Sequence, residues 1–306
     1  MLGLVLLLLL RAAPAFAGAG VAVAPPEPAA GAGPDTAATA VRPGLRGSLE
    51  GPLLGAGASL LLGSVALDAT LQSVPPEGRD PGEVHWSFDR TNLGKRDADA
   101  DSRSDYVRDA AVAYPLAVAF VSQPPGERLG GTLRRSVVYL EALLIAQGAT
   151  SILKNSIDRP RPYTYLPSDQ RPDDPAYDVT VGEAFRSMPS GHATTAFCGA
   201  AFAMTDHLLT RPGAGWLERA GVSFAGGLLA GMTAAMRVEA GQHFPSDVIV
   251  SGLIGTSSGV VLPLAHRYIG AGGRPAPPPS GAAWRQGIAG LLAGIGTGIL
   301  VAESLR

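Results

Sequence analysis

From residue 52 onward, apolar helical stretches alternate with polar loops. No segment shows sustained period-two alternation between hairpin signals, so the pattern predicts an all-α chain. It predicts helices near 52–73, 107–123, 134–156, 190–210, 217–236, 246–268 and 285–304. Pro-Pro and Pro-Gly punctuation at 75–76, 124–126, 212–213 and 277–279 separates them. Upstream, the apolar run Leu2–Leu10 is followed by Ala15-Phe16-Ala17, an A-x-A cleavage pattern, so 1–17 reads as an export signal. Residues 18–51, rich in Ala, Pro and Gly, read as a mobile linker. Residues 52–268 then form the helical domain, and 269–306 a Pro/Gly linker and a C-terminal apolar helix.

Composition narrows the function classes. The chain is 46% hydrophobic and 16% charged, too apolar and too sparsely charged to be disordered. A net charge of −2 leaves no basic excess for nucleic acid. The single cysteine, Cys198, excludes an intramolecular disulfide and a CxxC zinc site, and reads as a small packed residue. Lys95 and Lys154 are the only two lysines among 24 basic residues, so the position of either is informative. The run Asp97, Asp99, Asp101, Asp105 begins like a calcium loop. Ser102 and Arg108 stand where that loop needs Gly and Glu, so the run reads as a solvated acidic loop. His85, His207 and His266 read as surface or helix-end residues.

Three blocks carry candidate chemistry: Lys154-x6-Arg161-Pro162, Pro189-Ser190-Gly191-His192, and Arg237-x5-His243-x3-Asp247. Together they resemble the three-part signature of the PAP2 superfamily, the type 2 phosphatidic acid phosphatases with the bacterial acid phosphatases and vanadium haloperoxidases. The resemblance covers a core of about residues 105–268 and implies a helical bundle of about six core helices plus the C-terminal helix. The family usually places Ser before the third-block arginine, where this chain has Met236.

The residue chemistry points the same way. Three cations, Lys154, Arg161 and Arg237, converge on one point only if an anion sits there, and guanidinium forks suit phosphate oxygens. Ser190 stands at a helix N-cap, where free N–H groups and the helix dipole favour an anion. Gly191 lets the backbone approach it. His243 is the candidate nucleophile, oriented by Asp247 four residues on. His192 is the candidate general acid, and later the base that activates water. The Ser190 and Gly191 amides join the cations in stabilising the transition state. Arg159, also followed by proline, is a rival to Arg161, which the x6 spacing favours. The scheme needs no metal or other cofactor, and the resemblance implies the same roles and the same metal independence.

The expected substrate is a phosphorylated lipid or a small organic phosphate. The alternatives are a soluble periplasmic acid phosphatase and a vanadium haloperoxidase, whose known members are much larger. Ala220–Met236 and Val248–Ala265 are uncharged and close to the lower length limit of a membrane span. Loops away from the candidate site carry Arg128, Arg134, Arg135, Arg211, Arg219, Arg267, Arg274 and Arg285, which by the positive-inside rule places the site outside the cytoplasm. The expected location is the cell envelope, membrane-embedded or membrane-attached with the site facing the periplasm, or soluble in the periplasm. The sequence carries no signal for an oligomeric state.

Overall fold

The computed structural model describes residues 41–45, 47–70, 81–170, 174–270 and 273–305. The export signal expected at 1–17 and the linker up to residue 40 lie outside the described residues. In chain order the elements are β1 (Arg42–Gly44), α1 (Gly47–Thr70), α2 (Ser87–Arg90), α3 (Ala98–Val121), α4 (Arg128–Ile157), α5 (Gly191–Thr210), α6 (Trp216–Glu239), α7 (Pro245–Ala265), β2 (Arg267–Ile269) and α8 (Gly281–Ser304). The seven long helices among the described residues are those the sequence predicts, and the described residues are all-α apart from one pair of three-residue strands.

Two boundaries differ for physical reasons. The acidic run expected as a solvated loop is the start of α3. Asp97 is its N-cap, accepting from the Ala100 amide at 2.9 Å, and Asp99 and Asp101 lie in the first turn, where the helix dipole favours acids. The linker expected over 18–51 ends early, because Arg42–Gly44 pairs antiparallel with Arg267–Ile269 and α1 begins at Gly47. Leu45 and Leu53 pack against the core cluster of Val138, Tyr139 and Ala142. Local composition does not reveal a partner strand so distant in sequence.

Helix α5 is the axis of the bundle. Seventeen of its twenty residues are buried, so neighbours cover it nearly all round. Those neighbours are α3, α4, α6 and α7, while α1 packs on α4 and α8 packs mainly on α6. Small residues allow the close approaches. Cβ atoms built on Gly227 and Gly231 of α6 would lie 2.3 Å from the carbonyl oxygens of Leu291 and Ile295 on α8. In return, Gly290, Gly294 and Gly298 of α8 meet the carbonyls of Ala220, Phe224 and Leu228. Each helix therefore presents a small-x3-small stripe to the other, the pattern that lets two backbones touch. Cys198 is buried in the core, as expected.

The antiparallel order brings the ends of α4 and α6 together with the starts of α3, α5 and α7. The last turns of α1 and α8 reach the same end, through Asn155 Nδ2 to Ser64 O (2.9 Å) and Arg103 Nη1 to Leu305 O (3.2 Å). The strand pair closes the opposite end. Among the described residues, five segments are long and apolar enough to cross a membrane: Leu49–Ala66, Pro125–Tyr165, Trp216–Glu239, Pro245–Ala265 and Gly281–Ser304. Their outward faces expose Leu62, Val65, Ile249, Leu253, Leu292 and Leu300.

Two of the histidines assigned to the surface or to helix ends are buried: His207, near the end of α5, and His266, at the C-cap of α7. His266 sits between Glu141 (3.1 Å) and Glu50 (3.7 Å), partners from distant helices that an apolar-run argument cannot see.

Candidate active site

His243 lies on the tight loop between α6 and α7. Gly241 makes that loop possible: its φ is +70°, and a Cβ there would stand 1.7 Å from the Lys95 carbonyl oxygen. The loop folds back so that the His243 amide donates to Arg237 O at 3.2 Å. The His243 side chain is 1% exposed, and its Nδ1 lies 2.6 Å from the Ser187 carbonyl oxygen. A carbonyl only accepts, so Nδ1 carries the proton and Nε2 keeps its lone pair. Burial, followed by the charges of Arg161, Arg237 and Lys154, pushes the His243 pKa well below the ordinary value. The ring is therefore held neutral, in one tautomer, beside three cations.

Asp247 does not touch that ring directly. Its Oδ2 is 3.8 Å from His243 Nδ1, beyond hydrogen-bond reach. It accepts instead from the Phe244 amide (2.7 Å) and from the Ser187 hydroxyl. The close contact to Nδ1 expected of Asp247 is made by the Ser187 carbonyl, and Asp247 is bonded to the Ser187 hydroxyl. The carboxylate prefers this arrangement because it also caps the first turn of α7.

Arg159 joins the same scaffold and not the phosphate cradle. Its guanidinium reaches Asp247 Oδ1 (2.5 Å), Asp89 Oδ2 (2.8 Å) and Ser246 Oγ (2.6 Å), and lies 4.3 Å from the centre of the Phe244 ring. Arg161 is the arginine that lines the cavity. It donates from Nε to Glu183 O (2.8 Å), from Nη2 to Glu183 Oε2 (2.6 Å) and from Nη1 to Gln242. Arg237 donates through Nη1 to Asp101 and to Ser104 Oγ (3.2 Å), while its buried Nε has no hydrogen-bond partner among the described residues. Asp101, Arg161, Glu183, His192, Arg237 and Gln242 surround a cavity of about 270 Å³. A neighbouring cavity of about 250 Å³ is lined by Lys154, Gly191, Gln147 and, again, Glu183. Glu183 therefore stands between Arg161 and Lys154 (3.6 Å) and divides the cation set. Burial works to raise its carboxyl pKa, but Lys154 and Arg161 overcome this and hold it below the usual range.

Ser190 caps α5, its hydroxyl accepting from the Ala193 amide at 3.4 Å. The Ser190 amide itself is committed to Ser251 Oγ at 2.8 Å. That amide, satisfied inside the core, is not free for a ligand, whereas the hydroxyl keeps its own proton to donate. The Gly191 and His192 amides head the helix in its place. A Cβ on Gly191 would meet nothing nearer than Gln147 Oε1 at 3.6 Å, so the space above it belongs to the cavity.

His192 faces α3. Its Nε2 is 2.6 Å from Asp105 Oδ1 and 2.5 Å from Arg108 Nη1. Burial, then Arg237 and Arg108, push the His192 pKa down to about 4 against the opposing pull of Asp105. Met236, which replaces the usual family serine, lines an apolar cavity of about 290 Å³ shared by α3, α6, α7 and α8. Arg237 takes its hydroxyl contact from Ser104 on α3.

All eight residues singled out from the sequence gather at this one end of the bundle: Lys154, Arg161, Ser190, Gly191, His192, Arg237, His243 and Asp247. Sequence reasoning missed Asp89, Ser187, Gln242 and the α3 residues Asp101, Asp105 and Arg108. The four-residue spacing of Asp97, Asp101 and Asp105 was the available signal, since it puts three acids on one helix face. Nothing in the sequence singles out Asp89 or Ser187.

No curated protein and no solved structure matches the chain. Residues 135–271 match the family model of the PAP2 superfamily, a span that runs from the first turns of α4 through β2 and contains all three signature blocks. The chain carries a PAP2-superfamily domain.

Proposed function

We propose that the protein is a metal-independent phosphatase that hydrolyses a lipid phosphate or diphosphate through a phosphohistidine at His243. Membership of the PAP2 superfamily supports phosphatase chemistry in general. The observation that carries the finer reading is the His243 ring. It is neutral, held as the Nδ1–H tautomer by Ser187 and surrounded by Arg161, Arg237 and Lys154. That is the state a nitrogen nucleophile needs beside an anionic electrophile.

In the first step His243 Nε2 attacks phosphorus. The N–P bond forms, the bond to the leaving oxygen breaks, and His192 gives its proton to that oxygen. In the second step His192 takes a proton from water, the hydroxide attacks phosphorus, and the N–P bond breaks to release phosphate. Arg161, Arg237 and Lys154 bind the equatorial oxygens and stabilise charge that peaks in each transition state. The bound dianion also works against the burial that keeps His192 neutral in the free protein, and so readies the acid.

The apolar outer faces favour a lipid substrate and an integral membrane protein. The end opposite the site carries Arg128, Arg134, Arg211, Arg219, Arg274 and Arg285, which supports an active site facing away from the cytoplasm. Arg135 drops out of that count, because it is buried against Asp206 at 3.4 Å. The test is a phosphate-release screen of lipid and soluble phosphates with EDTA present, run on the wild type and His243→Ala. The reading requires turnover in the wild type and none in the folded variant. Turnover in the variant removes the nucleophile assignment. Release of the protein from membranes by carbonate removes the integral-membrane reading.

A further inference from the structure

Halfway along α4, the fully buried Glu141 faces His266, at the C-cap of α7. His266 Nε2 lies 3.1 Å from Glu141 Oε2 and 3.7 Å from Oε1 of Glu50, in the first turn of α1. The other ring nitrogen, Nδ1, is 2.8 Å from the Leu262 carbonyl oxygen, so it carries a proton. A bare lone pair on Nε2 would then face two carboxylates. A second proton removes that repulsion and makes the ring an imidazolium. Without this proton the enclosed group holds two carboxylates and no cation. Glu141 Oε1 and Glu50 Oε2 have no hydrogen-bond partner among the described residues, and no lysine or arginine among them pairs with either carboxylate. The other charges of the surrounding elements are engaged elsewhere or face outward. Arg135 of α4 pairs with Asp206 of α5 (3.4 Å), which accepts from Tyr268 of β2 (2.9 Å). His207 of α5 lies 3.5 Å from Glu218 of α6, and Arg134 and Arg42 are exposed.

We propose that Glu50, Glu141 and His266 form a proton-binding site whose bound proton fastens α1 to the bundle. Neither the PAP2 signature blocks nor the chemistry at His243 uses these residues, and the proposal stands apart from both. Helix α1 depends on few contacts. Among its described side chains only Glu50, Gly57 and Ser64 are buried, spaced seven residues apart and so on one face. A Cβ on Gly57 would stand 2.6 Å from Leu144 Cβ, and the Ser64 carbonyl accepts from Asn155 at 2.9 Å. This is a seam of small and polar residues, which joins helices in an apolar surround through close approach and polar contacts. Glu50 supplies its one charged contact. Ionisable side chains in such surroundings are costly unless paired. Burial works to lower the His266 pKa, but Glu141, the Leu262 carbonyl and Glu50 overcome this and raise it from its ordinary value of 6.5. A raised histidine pKa contributes stability that is complete below the ordinary value and is lost as pH rises through the folded one. The seat of α1 is therefore firm in acid and loosens in base. The far end of α1 feels this, because Ser64 and Val65 line the cavity that holds Lys154 and Gly191.

The test is the position of α1 in the full-length protein in detergent micelles, read by double electron–electron resonance. Spin labels go on Leu62→Cys of α1 and Ile249→Cys of α7, both exposed; Cys198 is buried and stays unlabelled. Melting recorded in parallel shows that each protein is folded. The wild-type background gives one narrow distance distribution at pH 6, and the ratio of displaced to seated α1 rises by about 10-fold or more by pH 9, as expected for breaking a buried ion pair. Glu50→Gln removes the carboxylate that proton loss leaves stranded on α1, so α1 stays seated at pH 9. His266→Gln removes the titrating ring and with it the difference between pH 6 and pH 9. A merely structural role for the three residues gives a wild-type distribution that does not change with pH. That result, a displacement that grows in acid instead, or a pH dependence that persists in both variants overturns the proposal. Where one variant does not fold, the wild-type profile and the other variant decide.

Discussion

Asp247→Asn separates two ways of holding a nucleophilic histidine. If the carboxylate accepted directly from His243, the amide would disturb the tautomer and cost about 10⁴-fold in kcat. Here the Ser187 carbonyl holds Nδ1–H, and Asp247 Oδ2 is 3.8 Å away. The tautomer therefore survives the substitution, and what is lost is the attraction of a nearby carboxylate for the charge that develops on the ring. At 3.8 Å and an effective dielectric near 20, a full unit charge gains about 4 kcal/mol. Arg159, bonded to the same carboxylate at 2.5 Å, cancels roughly half of that field, which leaves about 2 kcal/mol. The expected loss in kcat is about 30-fold. The variant also leaves Arg159 with Asp89 as its one remaining carboxylate partner, so it unfolds at a lower temperature. The assay is kcat on p-nitrophenyl phosphate well below the melting transition of the variant, with melting recorded in parallel. A 10⁴-fold loss in folded protein refutes the Ser187 argument, and unchanged kcat removes Asp247 from the electrostatics of the ring.

Three further outcomes follow from the site. Gly241→Ala forces φ +70° on a residue with a Cβ that meets the Lys95 carbonyl, so melting temperature and activity both fall; Gly63→Ala, which meets nothing within 4 Å, leaves both unchanged. Glu183→Gln removes the carboxylate that competes for Arg161 and Lys154, so inhibition by inorganic phosphate or vanadate tightens by about 3- to 10-fold, a modest gain because Glu183 is half exposed. For the free enzyme, kcat/KM falls as pH rises above about 4, because His192 must be protonated to act as the acid and its folded pKa is depressed to that value. Burial and the neighbouring cations also depress the His243 pKa, the direction that keeps its ring in the neutral form the attack needs. A kcat/KM that rises from pH 5 to pH 8 contradicts this assignment.

The parts legible in the sequence were those with local causes. The apolar periodicity and the Pro/Gly breaks located every long helix among the described residues, and ordered spacing picked out the residues of the three blocks. What was not legible depended on partners distant in the chain. The acids of α3 look solvated until Arg237 and His192 arrive from other helices. Ser187 has no distinguishing neighbours, yet its carbonyl and hydroxyl join His243 to Asp247. Arg159 and Arg161 differ by two positions; the x6 spacing favours Arg161 for the cavity, but the scaffold contacts of Arg159 emerge only in the packed loop. The glycine stripes of α6 and α8 were visible as composition, but their use as a helix contact required both helices.

The central claim is that phosphorus is bonded to His243 during turnover. Its most direct test is rapid quench of the working enzyme in base, followed by peptide mapping of the phosphoryl group. The account predicts a base-stable, acid-labile phosphohistidine on the peptide that contains His243, absent in His243→Ala and accumulating in a variant slowed in the second step. Label on any other residue, or turnover without a covalent phosphoenzyme when the second step is slowed, contradicts it.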